Sequence, residues 1–339
     1  QGERYFTVFN LNEKRFSSYK LNTYYLNSFF VCEKNNFAFI FGHEEIFTIQ
    51  LNTGKIKKYD FRLPYRLDES TIISNLKIYM SSFTGGLISL DLITNQLKYI
   101  CKESDSVGYS YLLKSKVYSL DDTNSIKVWD IKTNKLYLRK SLKLRKYARF
   151  IMNNLPDSYN KIRLIETGNH KNPSIQFDFD SKLKLINTKE LSSREMVTER
   201  ALDIENSLLA LNTMNRTISY NDNHKSWIKD FYDLTENPTY INICHQTYYN
   251  QAYFAKTALY KINLENGELT KGVDFREHDR ASCLQIANDY LFVGMEGYCI
   301  FIIDLKTFQI LHKISADHAY PHSFIFCPKR NYLFFAWGH

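Results

Sequence analysis

The sequence predicts an all-β fold made of a repeated unit, and three observations carry that prediction. First, one phrase recurs: apolar residues alternating with polar ones, a polar turn, then the start of another strand, which is the pattern of a β-hairpin. Its clearest copy is 125–136, Ser-Ile-Lys-Val-Trp-Asp-Ile-Lys-Thr-Asn-Lys-Leu, and further copies stand at 46–56, 86–97, 258–269 and 300–310. Second, the spacing is regular. The residue closing the first strand of each copy falls at Leu11, Leu51, Leu92, Ile131, Phe179, Asp222, Leu264 and Leu305, giving steps of 40, 41, 39, 48, 43, 42 and 41 residues. A period of about 40–45 residues is that of a four-stranded propeller blade. Third, 25 Tyr and 24 Phe are spread along all 339 residues, which supplies a core throughout and leaves no stretch of disordered composition.

The first element, 5–21, is only the second half of a repeat, because Phe6-Thr-Val-Phe-Asn-Leu-Asn-Glu-Lys-Arg-Phe16 lies over Phe47-Thr-Ile-Gln-Leu-Asn-Thr-Gly-Lys-Ile56. Complete repeats then begin near Asn27, Ser70, Tyr109, Ala148, Leu202, Thr239 and Ser282. The longest step, after Ile131, takes in Asn169-His-Lys-Asn-Pro173, which reads as a protruding loop, and 217–227 alternates least well. The last element, 322–338, gives two strands and stops, a first half without its second. From Leu305 to the terminus is 34 residues and 11 more reach Leu11, a step of 45, so the two halves complete one repeat. Seven full repeats and this composite predict an eight-bladed propeller, seven blades being the alternative, closed by strands from both termini as one domain over 1–339. Such closure leaves no open edge between first and last blades.

Other features bound the function. The longest apolar runs, 299–303 and 333–337, fall far short of the roughly 18–20 residues that span a bilayer, so no membrane insertion is expected. The start, Gln1-Gly2-Glu3-Arg4, lacks the pattern of a secretory leader and lacks Met, so a further module is expected to have preceded it. Cys32, Cys101, Cys244, Cys283, Cys299 and Cys327 have no paired short spacing and read as buried free thiols, which suits a reducing compartment, cytoplasm or nucleus. The net charge of +8 favours acidic, phosphate-bearing or nucleic-acid partners without choosing among them.

With its hairpins laid out, the chain resembles the WD40-repeat propellers. Val128-Trp129-Asp130 matches that family's terminal dipeptide, Leu90-Asp91 and Ile303-Asp304 keep its aspartate, and Ala316-Asp-His318 and Glu277-His278 resemble degenerate Gly-His openings. The resemblance covers nearly the whole chain. It implies peptide binding on the face built by the inter-blade loops and the loops between second and third strands. It also implies a structural role for His318. The narrower resemblance is to the propellers of F-box and WD40 substrate receptors of SCF-type ubiquitin ligases, which implies an adaptor bound through an F-box upstream of residue 1.

On that face the sequence places the densest basic run, 139–149, with six bases and no acid. Guanidinium groups suit carboxylate and phosphate because their planar donor fork meets two oxygens at once. Arg62, Arg66, Arg145, Lys146, Arg276 and Arg280 are therefore the candidate anion-binding residues, with Phe83, Tyr298, Tyr320 and Trp337 as aromatic anchors. The expected partner is a protein or an acidic or phosphorylated segment, nucleic acid being the alternative. Asp317-His318 with His322 is the sole metal-like spacing, and Pro321 breaks it, so no metal is expected. No phosphate loop, dinucleotide turn or nucleophile elbow occurs, so neither a cofactor nor an enzyme is expected.

Overall fold

The computed structural model describes residues 4–23, 26–32, 36–42, 45–59, 67–74, 77–82, 86–91, 94, 96–99, 107–113, 116–121, 125–130, 132–133, 135–141, 148–149, 161–166, 174–191, 200–204, 207–212, 217–221, 226–230, 241–244, 246–315 and 320–338. In chain order the strands are β1 (Arg4–Asn10) and β2 (Arg15–Leu21); β3 (Leu26–Cys32), β4 (Phe37–Gly42), β5 (Ile46–Gln50) and β6 (Ile56–Tyr59); β7 (Leu67–Ser74), β8 (Lys77–Ser82), β9 (Gly86–Asp91) and β10 (Gln96–Tyr99). Next come β11 (Val107–Leu113), β12 (Lys116–Asp121), β13 (Ser125–Asp130) and β14 (Lys135–Ser141); β15 (Ala148–Arg149), β16 (Lys161–Glu166), β17 (Ile175–Asp180) and β18 (Leu185–Glu190). The chain continues through β19 (Arg200–Ile204), β20 (Ser207–Asn212), β21 (Thr217–Asn221) and β22 (Ser226–Asp230); β23 (Asn242–Ile243), β24 (Gln251–Ala255), β25 (Ala258–Asn263) and β26 (Leu269–Asp274). It ends with β27 (Ala281–Ala287), β28 (Tyr290–Met295), β29 (Cys299–Asp304), β30 (Ile310–Ser315), β31 (Tyr320–Cys327) and β32 (Tyr332–Gly338). Among the described residues these strands form eight four-stranded sheets and there is no α-helix. Seven sheets take four consecutive strands each, and the eighth has the order β2-β1-β32-β31, which joins the two ends of the chain.

The chain divides into two compact units, residues 1–60 with 226–339 and residues 61–225. In the first unit the composite sheet is buried on both faces. Phe6, Val8, Phe334 and Ala336 pack with Phe29, Val31, Ile40 and Phe47 of the β3–β6 sheet. The alternate positions Phe9, Leu333 and Phe335 pack with Ala287, Phe292, Ile300 and Ile302 of the β27–β30 sheet. The period of two along a strand sends successive side chains to opposite faces, so a sheet packed on both sides needs apolar residues at every position. Edge-on contacts such as Phe6 against Phe29, with ring centroids 5.2 Å apart, fill these layers. In the second unit Tyr118, Ile126 and Val128 pack with Ile162, Leu164 and Phe179 between the β11–β14 and β15–β18 sheets.

Three local expectations need correction. Lys127, expected on a polar face of an alternating strand, is 1 % exposed, and its neighbours Ile126, Val128 and Trp129 are buried with it, so β13 has no wet face. The basic run 139–149 is not wholly a loop: Arg139, Lys140 and Ser141 continue β14, Arg149 lies in β15, and 142–147 fall outside the described residues. The fifth marker is also displaced, since β17 runs past Phe179 to Asp180 and its turn closes one residue earlier than the others, with Lys184 O accepting from Asp180 N at 3.0 Å.

Candidate functional site

Each sheet has two ends, and in the first unit both are built by turns whose backbone donors and acceptors interlock. At one end, the segment after β26 enters a single 3₁₀ turn, Arg276–His278, before β27 begins. Thr257 O accepts from Phe275 N at 2.6 Å, and Lys256 O accepts from Ala281 N at 2.7 Å, so the β24–β25 turn holds both ends of this loop. Its middle is held by the β28–β29 turn, where Glu296 N donates to Arg280 O at 2.9 Å and Gly297 N to His278 O at 3.1 Å. Gly297 is required by that approach, because a Cβ there would stand 2.3 Å from His278 O. The next residue, Tyr298, has φ +60° and a 41 % exposed side chain.

The charges at this end are internally matched. Arg276 places Nε 3.0 Å from both Asp274 oxygens and Nη2 2.6 Å from Oδ2, a two-pronged pair that, with the Arg276 N–H donated to the same carboxylate, lowers the Asp274 pKa to about 2. Arg280 donates from Nε to Glu296 Oε2 at 2.6 Å. His278 packs on Phe301 with centroids 5.1 Å apart and takes Lys313 Nζ at 3.4 Å from Nε2. Ser282 Oγ donates to Pro321 O at 2.5 Å, which ties this end of the β27–β30 sheet to the composite sheet.

The other end carries a repeated turn that sequence reasoning treated only as a marker. The last residue of the third strand is Asp or Asn in every sheet but the β3–β6 sheet, where it is Gln50, and in six sheets its side-chain oxygen accepts backbone N–H groups of the turn, an Asx arrangement. Asn10 accepts from Asn12 and Glu13, Asp91 from Thr94, Asp130 from Lys132 and Thr133, Asp180 from Lys182 and Lys184, Asn263 from Glu265, and Asp304 from Lys306 and Thr307, all at 2.7–3.2 Å. The aspartates that carry the WD40 resemblance are thus turn caps here.

Side chains link these turns from sheet to sheet within the first unit. Tyr248 donates to Asp289 Oδ1 and Lys306 to Asp289 Oδ2, each at 2.6 Å, so Asp289 is held below the usual carboxylate range and the Tyr248 phenol is raised. Asn288 donates to Asn331 Oδ1 at 2.7 Å, Asn331 to Asn12 Oδ1 at 2.6 Å, and Arg330 to Asn52 Oδ1 at 3.2 Å. The rim therefore runs from the β23–β26 sheet through the β27–β30 and composite sheets to the β3–β6 sheet.

Of the residues expected to bind a partner, Arg276, Arg280 and Tyr298 are brought to one end of adjoining turns. Tyr320 opens β31 and Trp337 lies in β32, opposite Tyr5 and Pro321. Arg62, Arg66, Phe83, Arg145 and Lys146 lie outside the described residues, as do Cys101, His318 and the loop 169–173. Among the described residues no three His, Cys, Asp or Glu side chains are grouped to hold a metal ion, the described cysteines are free thiols, and no helix is long and apolar enough to cross a membrane.

No family model and no curated protein matches the chain. Among solved structures, the computationally designed protein Ika8 superimposes with a TM-score of 0.64 at 13% identity, covering 94% of this chain and 97% of Ika8. BamB from Moraxella catarrhalis gives a TM-score of 0.61 at 11% identity, covering 93% of this chain and all of BamB. At such identities the likeness is one of fold, and with the sheet-after-sheet, all-strand architecture that fold is a β-propeller.

Proposed function

We propose that the chain is a single eight-bladed propeller over 1–339, closed by strands from both termini, that serves as a non-catalytic protein-interaction module. The blade number is supported by the eight repeats of the sequence and by the eight four-stranded sheets; closure is supported by the pairing of β1 with β32. The partner is gripped at the end that carries Arg276, Arg280 and Tyr298, with Arg62, Arg66, Phe83, Arg145, Lys146, Tyr320 and Trp337 completing the surface.

The observation that carries this reading is the way two turns are locked together to present Tyr298. The Gly297–His278 and Glu296–Arg280 backbone bonds fix the turn, so the backbone that carries an exposed aromatic is set before anything binds. Exposed aromatics with arginine are the composition of binding hot spots, and a turn already ordered leaves less loop entropy to be lost on contact. The narrower reading, a substrate receptor of an SCF-type ligase, rests on the sequence resemblance alone and is separate from this observation.

The test is photo-crosslinking. A photoreactive phenylalanine at position 298 is expected to trap a discrete partner identified by mass spectrometry, and the same group at Ile310, on an outer strand, is not. Equal trapping at both positions, or a partner still trapped by the Ile310 probe after Tyr298→Ala, places the interaction elsewhere on the molecule.

A further inference from the structure

The turn end of the composite and β3–β6 sheets differs in charge from the loop end. Its described residues in and beside the turns include Lys14, Arg15, Lys55, Lys329 and Arg330, against one acid, Glu13. At the loop end Arg276 and Arg280 are each matched by a carboxylate. Here Lys14, Arg15 and Lys55 are exposed and make no ion pair among the described residues, and the partner of Arg330 is the neutral amide of Asn52.

The rim bonds decide which groups are left for a ligand. Asn12 and Asn52 each spend the carbonyl oxygen inside the rim, accepting from Asn331 and Arg330, while both side chains stay exposed with their amide N–H groups as further donors. Asn331 uses both its oxygen and its nitrogen within the rim. Four cationic side chains and two amides therefore offer donors, with few acceptors beside them.

Backbone contacts hold these turns in place relative to one another. Leu11 N donates to Asn331 O at 3.0 Å, joining the two composite-sheet turns. A Cβ built on Gly54 would stand 3.0 Å from Tyr19, so the β5–β6 turn packs on β2.

We propose that this end is a second binding surface, recognising an acidic, carboxylate-rich segment of another protein. Carboxylates are acceptor-only groups, which is what a donor-rich, acceptor-poor surface selects. A flexible peptide can bring carboxylates to three separate turn tips. Nucleic acid fits less well: one face of Phe16 is covered by Phe9, with centroids 4.4 Å apart, and Tyr19 packs against Gly54, so of these two rings only the outer face of Phe16, 43 % exposed, is offered to a base.

The experiment titrates the full chain against a fluorescein-labelled hexaglutamate peptide by fluorescence anisotropy at low and high salt. Binding is expected at low salt, weakening as salt rises. Lys14→Glu with Lys55→Glu, two side chains that make no bond in the rim, should reduce it by roughly tenfold or more. Arg15→Glu with Arg330→Glu is the second variant, and retention of the melting temperature shows that each is folded. Arg276→Glu with Arg280→Glu reports on the surface proposed above: loss of peptide binding in this variant, with both turn-end variants binding fully, assigns the peptide to that surface instead. Three results overturn the proposal: no peptide binding at low salt, full binding by both turn-end variants, or displacement of the peptide by a duplex oligonucleotide at lower concentration than by unlabelled hexaglutamate.

Discussion

Gly267 and Lys14 occupy the same position in two copies of the Asx turn, three residues after Leu264 and Leu11, and both have left-handed backbones, φ +70° and φ +52°. A side chain there costs roughly 1–2 kcal/mol through contact of Cβ with the carbonyl that follows. At Gly267 the cost rises further, because a Cβ would meet Trp227 and Lys229 at 2.9 Å, and the indole is tethered by its bond to Leu264 O. Gly267→Ala is expected to destabilise by about 2–4 kcal/mol in urea unfolding, whereas Lys14→Gly, exposed and unpaired in the rim, should stabilise by about 0.5–1 kcal/mol. Loss of stability in the Lys14 variant would show that its side chain has a structural role. This position was hidden in the sequence because glycine occupies it only at Gly54 and Gly267, while Leu183 and Phe308 accept the same backbone in exchange for burial against their sheets. The caps were legible, since Asp or Asn recurs at Asn10, Asp91, Asp130, Asp180, Asn263 and Asp304, but only a known strand end tells a cap from a family marker.

The fourth strand of every sheet, β2, β6, β10, β14, β18, β22, β26 and β30, contains at least one lysine, from Lys20 to Lys313. These strands are the open edges, and β6, for example, reads exposed at Ile56, Lys57 and Lys58. A lysine on an edge opposes the docking of another chain's strand, because pairing would bury its charge. Part of the +8 net charge is accounted for in this way, so it is a weaker guide to partners than composition alone implies. Replacing Lys57 and Lys58 by Val is expected to lower the temperature at which light scattering rises while changing the melting temperature little. Lys58 also pairs with Glu45 and covers Phe47, so a drop confined to stability would point to that contact and not to edge protection. Strand positions were readable from hairpin spacing, but exposure was not. Alternation predicted a wet face for β13, and burial of every residue from Ser125 to Trp129 removed that face.

For the molecule as a whole, the joining of its two ends in one sheet was the most legible feature, because each terminus carries half a repeat and the halves are complementary. β32 is an inner strand, paired with β1 from Tyr5↔Trp337 to Asn10↔Tyr332 and with β31 on its other side. Deleting residues 331–339 removes Leu333, Phe334 and Phe335, all at most 1 % exposed, whose burial contributes roughly 5–9 kcal/mol together. That is comparable to the whole stability of a typical domain. The truncated chain should therefore be insoluble or lack a cooperative melt, and a soluble, cooperatively melting product would contradict this role for β32. The candidate sites were less legible. The sequence supplied the arginines at 276 and 280 but not the carboxylates they would meet, and the open cations at 14, 15, 55 and 330 sit in separate repeats that only the fold brings to one end. The composite sheet also sets an order of events during synthesis. At about 5–20 residues per second, β1 leaves the ribosome roughly 15–65 s before the β32 that must pair with it. Throughout that interval the β1–β2 hairpin presents a nascent strand edge without its mate, open to a chaperone or to a neighbouring nascent copy.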